Sequence, residues 1–165
     1  MKAVVYEEYC KKTEDGKPDD DYQKILQVKD IDDPKPKPDE VVFKVKAAAL
    51  NYNDLWGMRG EPVPVPLPHV SGSDAAGDVI AVGDEVSNIK VGDRVASHSN
   101  MSCRVCEACT DGREYDCAKR TIWGFQTGPN WGAFSEITHL PEVNVAKIPD
   151  SVSYDDAAAA SMTLL

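Results

Sequence analysis

Cys103, Cys106, Cys109 and Cys117 follow the spacing C-x2-C-x2-C-x7-C, which places four of the chain's five cysteines within fifteen residues. Four thiolates so spaced can enclose one zinc ion in a closed tetrahedron, with no position left for water or substrate. A centre of that kind holds a lobe together and does no chemistry of its own. Two other readings compete. The short iron–sulfur run ends in a three-residue gap and a proline, whereas here the last gap is seven residues and Ala118 follows. Local disulfides belong to secreted chains, and no apolar leader precedes the first strand. The expectation is one structural zinc per chain. Cys10 stands far from the cluster and is expected to be an unliganded thiol.

The rest of the composition narrows the function classes. Lys and Arg number 18 against 28 Asp and Glu, a formal charge of −10. A nucleic-acid binder needs a basic face to neutralise phosphates, and no basic run occurs. Acidic residues gather in 13–21 and 30–33, read as a solvated hairpin tip and a turn before a strand. No apolar stretch reaches the roughly 20 residues that cross a bilayer. The lack of a targeting segment and the reduced thiolates predict a cytoplasmic protein.

Short strands punctuated by Gly, Pro and Asp must position whatever chemistry the chain carries. Strands are predicted at 3–6, 24–29, 40–47, 72–82, 94–96, 132–137 and 143–148, with a polar insertion at 11–21. Val41, Phe43 and Val45 alternate with Val42, Lys44 and Lys46, the pattern of a half-buried strand. Residues 51–58 read as a short helix with Asn51 as a cap. Pro62, Pro64, Pro66 and Pro68 impose an extended segment that cannot sit inside a sheet. Ser153 and Asp156 have capping-box spacing before the apolar run 157–165. That run predicts a buried helix, either packed on its own domain or entering a second one; the second reading is adopted. The fold class expected is mainly β with short helices, a barrel or sandwich.

The order of elements resembles the N-terminal, GroES-like domain of the medium-chain dehydrogenase/reductase superfamily, which contains zinc-type alcohol dehydrogenases and quinone oxidoreductases. The marks are the runs 48–56 (AALNYNDLW), 72–79 (GSDAAGDV), 91–95 (VGDRV) and 131–136 (WGAFSE), together with Val82-Gly83 and the cysteine lobe. The resemblance implies a partly open β-barrel with a small zinc-binding lobe at 101–119. It divides the chain into a GroES-like catalytic domain, 1–152, and a helix start, 153–165, that leads to a Rossmann domain binding NAD(P)H. It also implies a homo-oligomer when the protein is whole. No Gly-x-Gly-x-x-Gly element follows a strand within the 165 residues.

Departures from the zinc enzymes choose the subfamily. Their first catalytic-metal ligand, a cysteine, falls at Asn51, and the histidine of their Gly-His-Glu motif falls at Ser73, with Asp74 in place of the glutamate. An amide and a hydroxyl are poor zinc ligands beside thiolate and imidazole. The pair Asn51 and Asp54 resembles the zinc-free quinone oxidoreductase and enoyl reductase branches. The chain is therefore expected to keep structural zinc, to lack catalytic zinc, and to reduce a small carbonyl or quinone substrate.

Asn51, Tyr52, Asp54, Ser73 and Asp74 are the candidate catalytic residues, and Asn51 also the candidate cofactor contact. Tyr52 reads equally as a donor to an enolate oxygen and as a ring with its hydroxyl satisfied by backbone. Asn51 reads equally as a helix cap and as a group positioning nicotinamide and substrate. Asp54 reads as a structural acceptor, and Ser73 and Asp74 as fillers of the vacated metal position. His69 is expected to make a structural hydrogen bond, and His98 and His139 to be exposed at strand ends. Trp56 and Trp123 are candidate walls for a flat acceptor. A zinc-dependent alcohol dehydrogenase domain and a non-catalytic GroES-like binding module stand as alternatives.

Overall fold

The computed structural model describes residues 1–19, 21–128 and 131–163. Strands β1 (Lys2–Val5) and β2 (Gln27–Asp30) pair antiparallel, with Val5 opposite Gln27, across the polar insertion. Within the predicted strand 24–29, Tyr22–Lys24 forms a 3-10 turn instead, so the strand starts at Gln27. Next come β3 (Glu40–Ala49), α1 (Tyr52–Arg59) and β4 (Asp74–Val82), then β5 (Arg94–Ser97) and β6 (Asn100–Met101). The cysteine lobe follows, carrying α2 (Glu107–Thr110), and is closed by β7 (Thr121–Ile122) pairing with β6. Last are β8 (Ile137–Pro141), β9 (Val145–Lys147) and α3 (Tyr154–Thr163). Among the described residues no helix is long and apolar enough to cross a membrane.

Five strands form one antiparallel sheet in the order β8-β3-β4-β5-β9, curled into an open half-barrel. The mainly β class with short helices is as expected. Its core is built by Val41, Phe43, Val79, Val95, Trp123 and Leu140. Val42 is buried as well, so the first half of β3 is covered on both faces and alternation starts only at Lys44. A second apolar cluster of Tyr6, Ile25, Met58, Val65 and Phe125 joins the β1–β2 hairpin to α1.

The predicted strand at 132–137 is displaced. Ala133 N–H donates to Gly72 O (2.9 Å), Phe134 N–H to Ser71 O (3.0 Å), and Val4 N–H to Phe134 O (2.8 Å). These residues spend their backbone groups bridging β1 and the loop before β4, so the ladder begins only at Ile137. The expected strand at 143–148 shrinks likewise to β9, because Glu142–Asn144 is a 3-10 turn. His139 is not exposed. It lies inside β8, buried, with Nδ1 3.0 Å from Glu40 Oε2. Burial alone would raise the Glu40 carboxyl, but Lys37 and His139 beside it hold it below its ordinary value. His98 is half-buried.

Helix α3 starts as the capping spacing requires: Asp156 N–H donates to Ser153 Oγ at 3.0 Å. Ala157 and Ala158 pack on Ala76 of β4 and Ala96 of β5, small side chains that let the helix lie close on the sheet. The helix thus packs on its own domain; Leu164 and Leu165 of the predicted run, like Asp20 of the insertion, lie outside the described residues. Its first turn is tied by Tyr154, whose hydroxyl donates to Asp78, and by Arg94, which lies 4.4 Å over the Tyr154 ring. Arg94 also donates to Pro149 O (3.0 Å) and Val152 O (2.8 Å). Two hydrogen bonds of about 1 kcal/mol each and a cation–π contact of about 0.5–1 kcal/mol converge on this one side chain. Arg94→Ala should therefore cost about 2–3 kcal/mol in denaturant unfolding. Hydrogen exchange should show the added opening concentrated in Tyr154–Thr163.

Candidate functional site

Two constellations emerge. In the lobe, the Sγ atoms of Cys103, Cys106, Cys109 and Cys117 all lie within 4.8 Å of one another. Cys106 and Cys109 Sγ are 3.4 Å apart, and Cys103 and Cys109 Sγ 3.9 Å. A tetrahedron with metal–sulfur bonds of about 2.3 Å separates its sulfurs by about 3.8 Å, so the four sulfurs stand near the spacing that would hold one ion. The N–H groups of Val105 and Cys106 point at the Cys103 sulfur and lower its thiol to about 6. The Cys109 amide favours the Cys106 thiolate too, but the neighbouring sulfurs outweigh it and raise that thiol to about 11. A cation among them would remove the conflict. Among the described residues this is the one group of three or more Cys, His, Asp or Glu side chains able to converge on an ion.

The second constellation lies where β3 runs into α1. Asn51 precedes the helix in extended geometry, as a cap does. Its N–H donates to Asp54 Oδ2 (2.8 Å), while Asp54 Oδ1 accepts the Gly72 N–H (3.0 Å). One buried carboxylate therefore fixes both the start of α1 and the loop before β4. Gly72 sits at φ +104, and Gly124, at φ +72, passes so close that a Cβ there would meet the Gly72 carbonyl. Burial raises the Asp54 carboxyl to about 6 despite the two amides that favour its ionised form.

The side chain of Asn51 also reaches across to β4, where its Nδ2 donates to Asp74 Oδ2 at 2.8 Å. Asn53 Nδ2 likewise donates to Ser73 Oγ at 2.8 Å. Burial raises the Asp74 carboxyl, against the Asn51 bond. Asn53 Oδ1, Asp74 Oδ1, Ser99 Oγ and Trp123 Nε1 are buried polar atoms without a partner among the described residues. Asn53 was not among the sequence candidates; its signal was its place between Tyr52 and Asp54 in the first turn of the helix. Ser73 and Asp74 are buried and hydrogen-bonded within the site.

Tyr52 stands 58% exposed, with the Trp56 ring edge-on at 5.4 Å. Its hydroxyl accepts from Arg59 Nη1 at 3.4 Å, so side chain rather than backbone meets it and its own proton is left to donate. Trp56 is half-exposed, as a wall requires, whereas Trp123 is only 1% exposed and belongs to the barrel core. His69 is fully buried, with Nδ1 3.1 Å from Pro66 O and Nε2 3.1 Å from Gly124 O. Both ring nitrogens face backbone carbonyls, and because burial favours the neutral ring its one N–H donates to either of them, a structural role. Asn51, Tyr52 and Asp54 also line a cleft of about 480 Å³.

The Asp54 pKa has a signed consequence. A carboxyl raised from 3.8 to about 6 favours the fold most while protonated, and that contribution is lost as pH rises from about 4 to 6. Asp54→Asn cannot ionise. The wild type should therefore lose up to about 3 kcal/mol relative to this variant between pH 4 and pH 7. Carbon-13 NMR of the Asp54 carboxyl should show a midpoint near 6.

Comparison with known proteins places this geometry. The chain is 35% identical over 155 residues to the crotonyl-CoA carboxylase/reductase of Cereibacter sphaeroides, covering 90% of this chain and 34% of that protein. It is 34% identical over 138 residues to the L-threonine 3-dehydrogenase of Francisella tularensis subsp. holarctica, covering 81% and 38%. The crystal structure of an NAD-dependent alcohol dehydrogenase superposes with a TM-score of 0.87 at 37% identity, over 100% of this chain and 44% of that one. The chain thus spans about a third of the length of the curated relatives it matches. The alcohol dehydrogenase GroES-like domain pattern matches residues 37–150, more than half of the chain. With the half-barrel sheet and the lobe in place, the chain belongs to that domain family, within the medium-chain dehydrogenase/reductase superfamily.

Proposed function

We propose that this chain is the N-terminal catalytic domain of an NAD(P)H-dependent oxidoreductase that reduces quinones or α,β-unsaturated carbonyl and enoyl compounds without a catalytic zinc. The observation that carries the reading is the 2.8 Å bond from Asn51 Nδ2 to Asp74 Oδ2. Asn51, Ser73 and Asp74 match positions that serve the catalytic metal in the zinc enzymes the chain resembles. Here Asn51 is tied to Asp74 and Ser73 to Asn53, an amide–carboxylate and an amide–hydroxyl pair. The amides and the hydroxyl offer a metal little, the Asp74 oxygen nearest them is taken up by the Asn51 amide, and without a metal the deprotonation of an alcohol loses its main support.

Reduction of a conjugated double bond asks less of the protein. A nicotinamide cofactor, held by a Rossmann domain to which the 153–165 segment leads, would supply the hydride. The chain's own residues hold the acceptor and meet the negative charge that develops on its carbonyl oxygen. Tyr52 donates its hydroxyl proton toward that oxygen, and Asn51, fixed by its bond to Asp74, orients the acceptor and the nicotinamide. Asp54 positions both through the helix start. The 35% identity to a crotonyl-CoA carboxylase/reductase favours an enoyl substrate. An alcohol-oxidising reading draws on the likeness to L-threonine 3-dehydrogenase but not on residues 51 and 73.

The lobe is read as a structural zinc centre, one ion per chain, held by Cys103, Cys106, Cys109 and Cys117. Zinc there cross-links the lobe and couples its folding to metal binding. The whole protein is read as a cytoplasmic homo-oligomer.

Elemental analysis should return close to one zinc per chain. Cys106→Ala should release it, with faster amide exchange confined to residues 101–119. Iron, or a disulfide among the four cysteines, would count against the zinc assignment. For the whole enzyme, NAD(P)H-dependent reduction of enoyl thioesters or quinones should persist after exhaustive chelation of weakly held metal. Tyr52→Phe should lower kcat roughly ten- to a hundredfold with unchanged thermal stability. Oxidation of simple alcohols, lost on chelation and restored by zinc, would overturn the reductase reading.

A further inference from the structure

The cleft of about 480 Å³ behind Asn51 and Tyr52 has a composition that the chemistry of hydride transfer does not require. Val4, Leu26, Leu55 and Phe134 form its half-buried walls, and Met58 lies buried in its floor. The polar groups that reach the floor are already engaged. Ser71 Oγ lies 3.4 Å from Tyr6 Oη as its donor, and both Asp54 oxygens accept backbone N–H groups. Burial also raises the Tyr6 hydroxyl, keeping it neutral. Leu50, 82% exposed, and Tyr52 stand at the rim, so large apolar surface meets any ligand as it enters.

These features exclude several occupants. A sugar or phosphate would find no cation on the floor and, beside the Tyr6 O–H, no uncommitted donor to match its many oxygens. Water would find few partners, since a buried water needs two to four polar groups. An apolar ligand loses nothing there and gains by leaving water. The cleft also shares Asn51 and Tyr52 with the candidate site, so its occupant must be joined to, or be part of, the molecule undergoing reaction. A flexible hydrocarbon tail attached to the acceptor carbonyl satisfies both conditions.

We propose that this cleft receives the aliphatic tail of the acceptor, so that the whole enzyme prefers conjugated carbonyl substrates bearing an extended hydrocarbon chain over short ones. This deepens the reductase reading and rests on it. Leu26, Leu55 and Met58 then set the preferred length, while Asn51 and Tyr52 hold the reacting carbonyl at the rim.

The test uses trans-2-enoyl thioesters of N-acetylcysteamine with chains of four to ten carbons and the whole enzyme. kcat/KM should rise about fourfold per added methylene, the equivalent of burying one CH2, and then level off once the cleft is full. Leu26→Trp, which narrows a wall, should cut the gain for eight- and ten-carbon substrates at least tenfold and leave the four-carbon substrate within twofold. Because a wall substitution can disturb folding, methyl NMR of the wild-type chain titrated with trans-2-decenoyl-N-acetylcysteamine gives a separate readout. Resonances of Leu26, Leu55 and Met58 should shift before those of other methyls. A flat chain-length profile with active enzyme would overturn the proposal, as would methyl shifts elsewhere or a whole-enzyme structure in which protein fills the cleft. If no enoyl thioester of any length is reduced, the reductase reading falls, and the methyl shifts still decide whether the cleft binds a tail.

Discussion

The Asp54 carboxylate is the constraint on which the candidate site depends. It accepts one N–H from Asn51, three residues before it, and one from Gly72, eighteen residues after it. A helix start and a left-handed loop are thereby held to a single pair of oxygens. Every other polar contact of the site is downstream of that geometry, including Asn51 to Asp74 and Asn53 to Ser73. Burying the carboxylate is unfavourable in itself, which is why its pKa rises even with two amide donors. Above that pKa the fold carries the cost of the charge, and each carboxylate oxygen still meets one of the two amides.

Around this clamp the chain is two structures with different sources of stability. The half-barrel rests on apolar burial and antiparallel pairing, with Val41, Phe43, Val95 and Trp123 at its centre. The lobe has almost no apolar core: of its cysteines only Cys117 is buried, and its β6–β7 closure is two residues long. So small a unit needs a covalent or metal cross-link to hold one conformation. The four sulfurs crowd one another, so one thiol is lowered to about 6 and its neighbour raised to about 11.

Asn51 and Ser73 are coherent as a set. Together with Asp74 and Asn53 they form two short hydrogen-bonded pairs that satisfy most, though not all, of their own polar atoms. The remaining unpartnered atoms, Asn53 Oδ1 and Asp74 Oδ1, are acceptors in low-dielectric surroundings.

Much was determined by the sequence alone, because it depended on neighbours along the chain. The cysteine spacing brings four ligands into one turn-rich segment, and Ser153 with Asp156 marks the start of a helix within one turn. Asn51 ahead of Asp54 marks another. Alternation located β3, since side-chain direction reverses at every residue whatever the partner, and a run of small residues ended by Gly83-Asp84 located β4. What failed did so where distant residues compete for the same backbone groups. Residues 133 and 134 read as strand, but Gly72, Ser71 and Val4 claim their amides and carbonyls first. His139 read as exposed, yet strand pairing sets it beside Glu40, ninety-nine residues away. Asn53 went unnoticed because its partner Ser73 lies across the β3–β4 register. Only that register, fixed by packing of Val41, Phe43 and Val79 on a shared core, decides which amide meets which carboxylate. The residue types were written locally; their pairing needed the sheet.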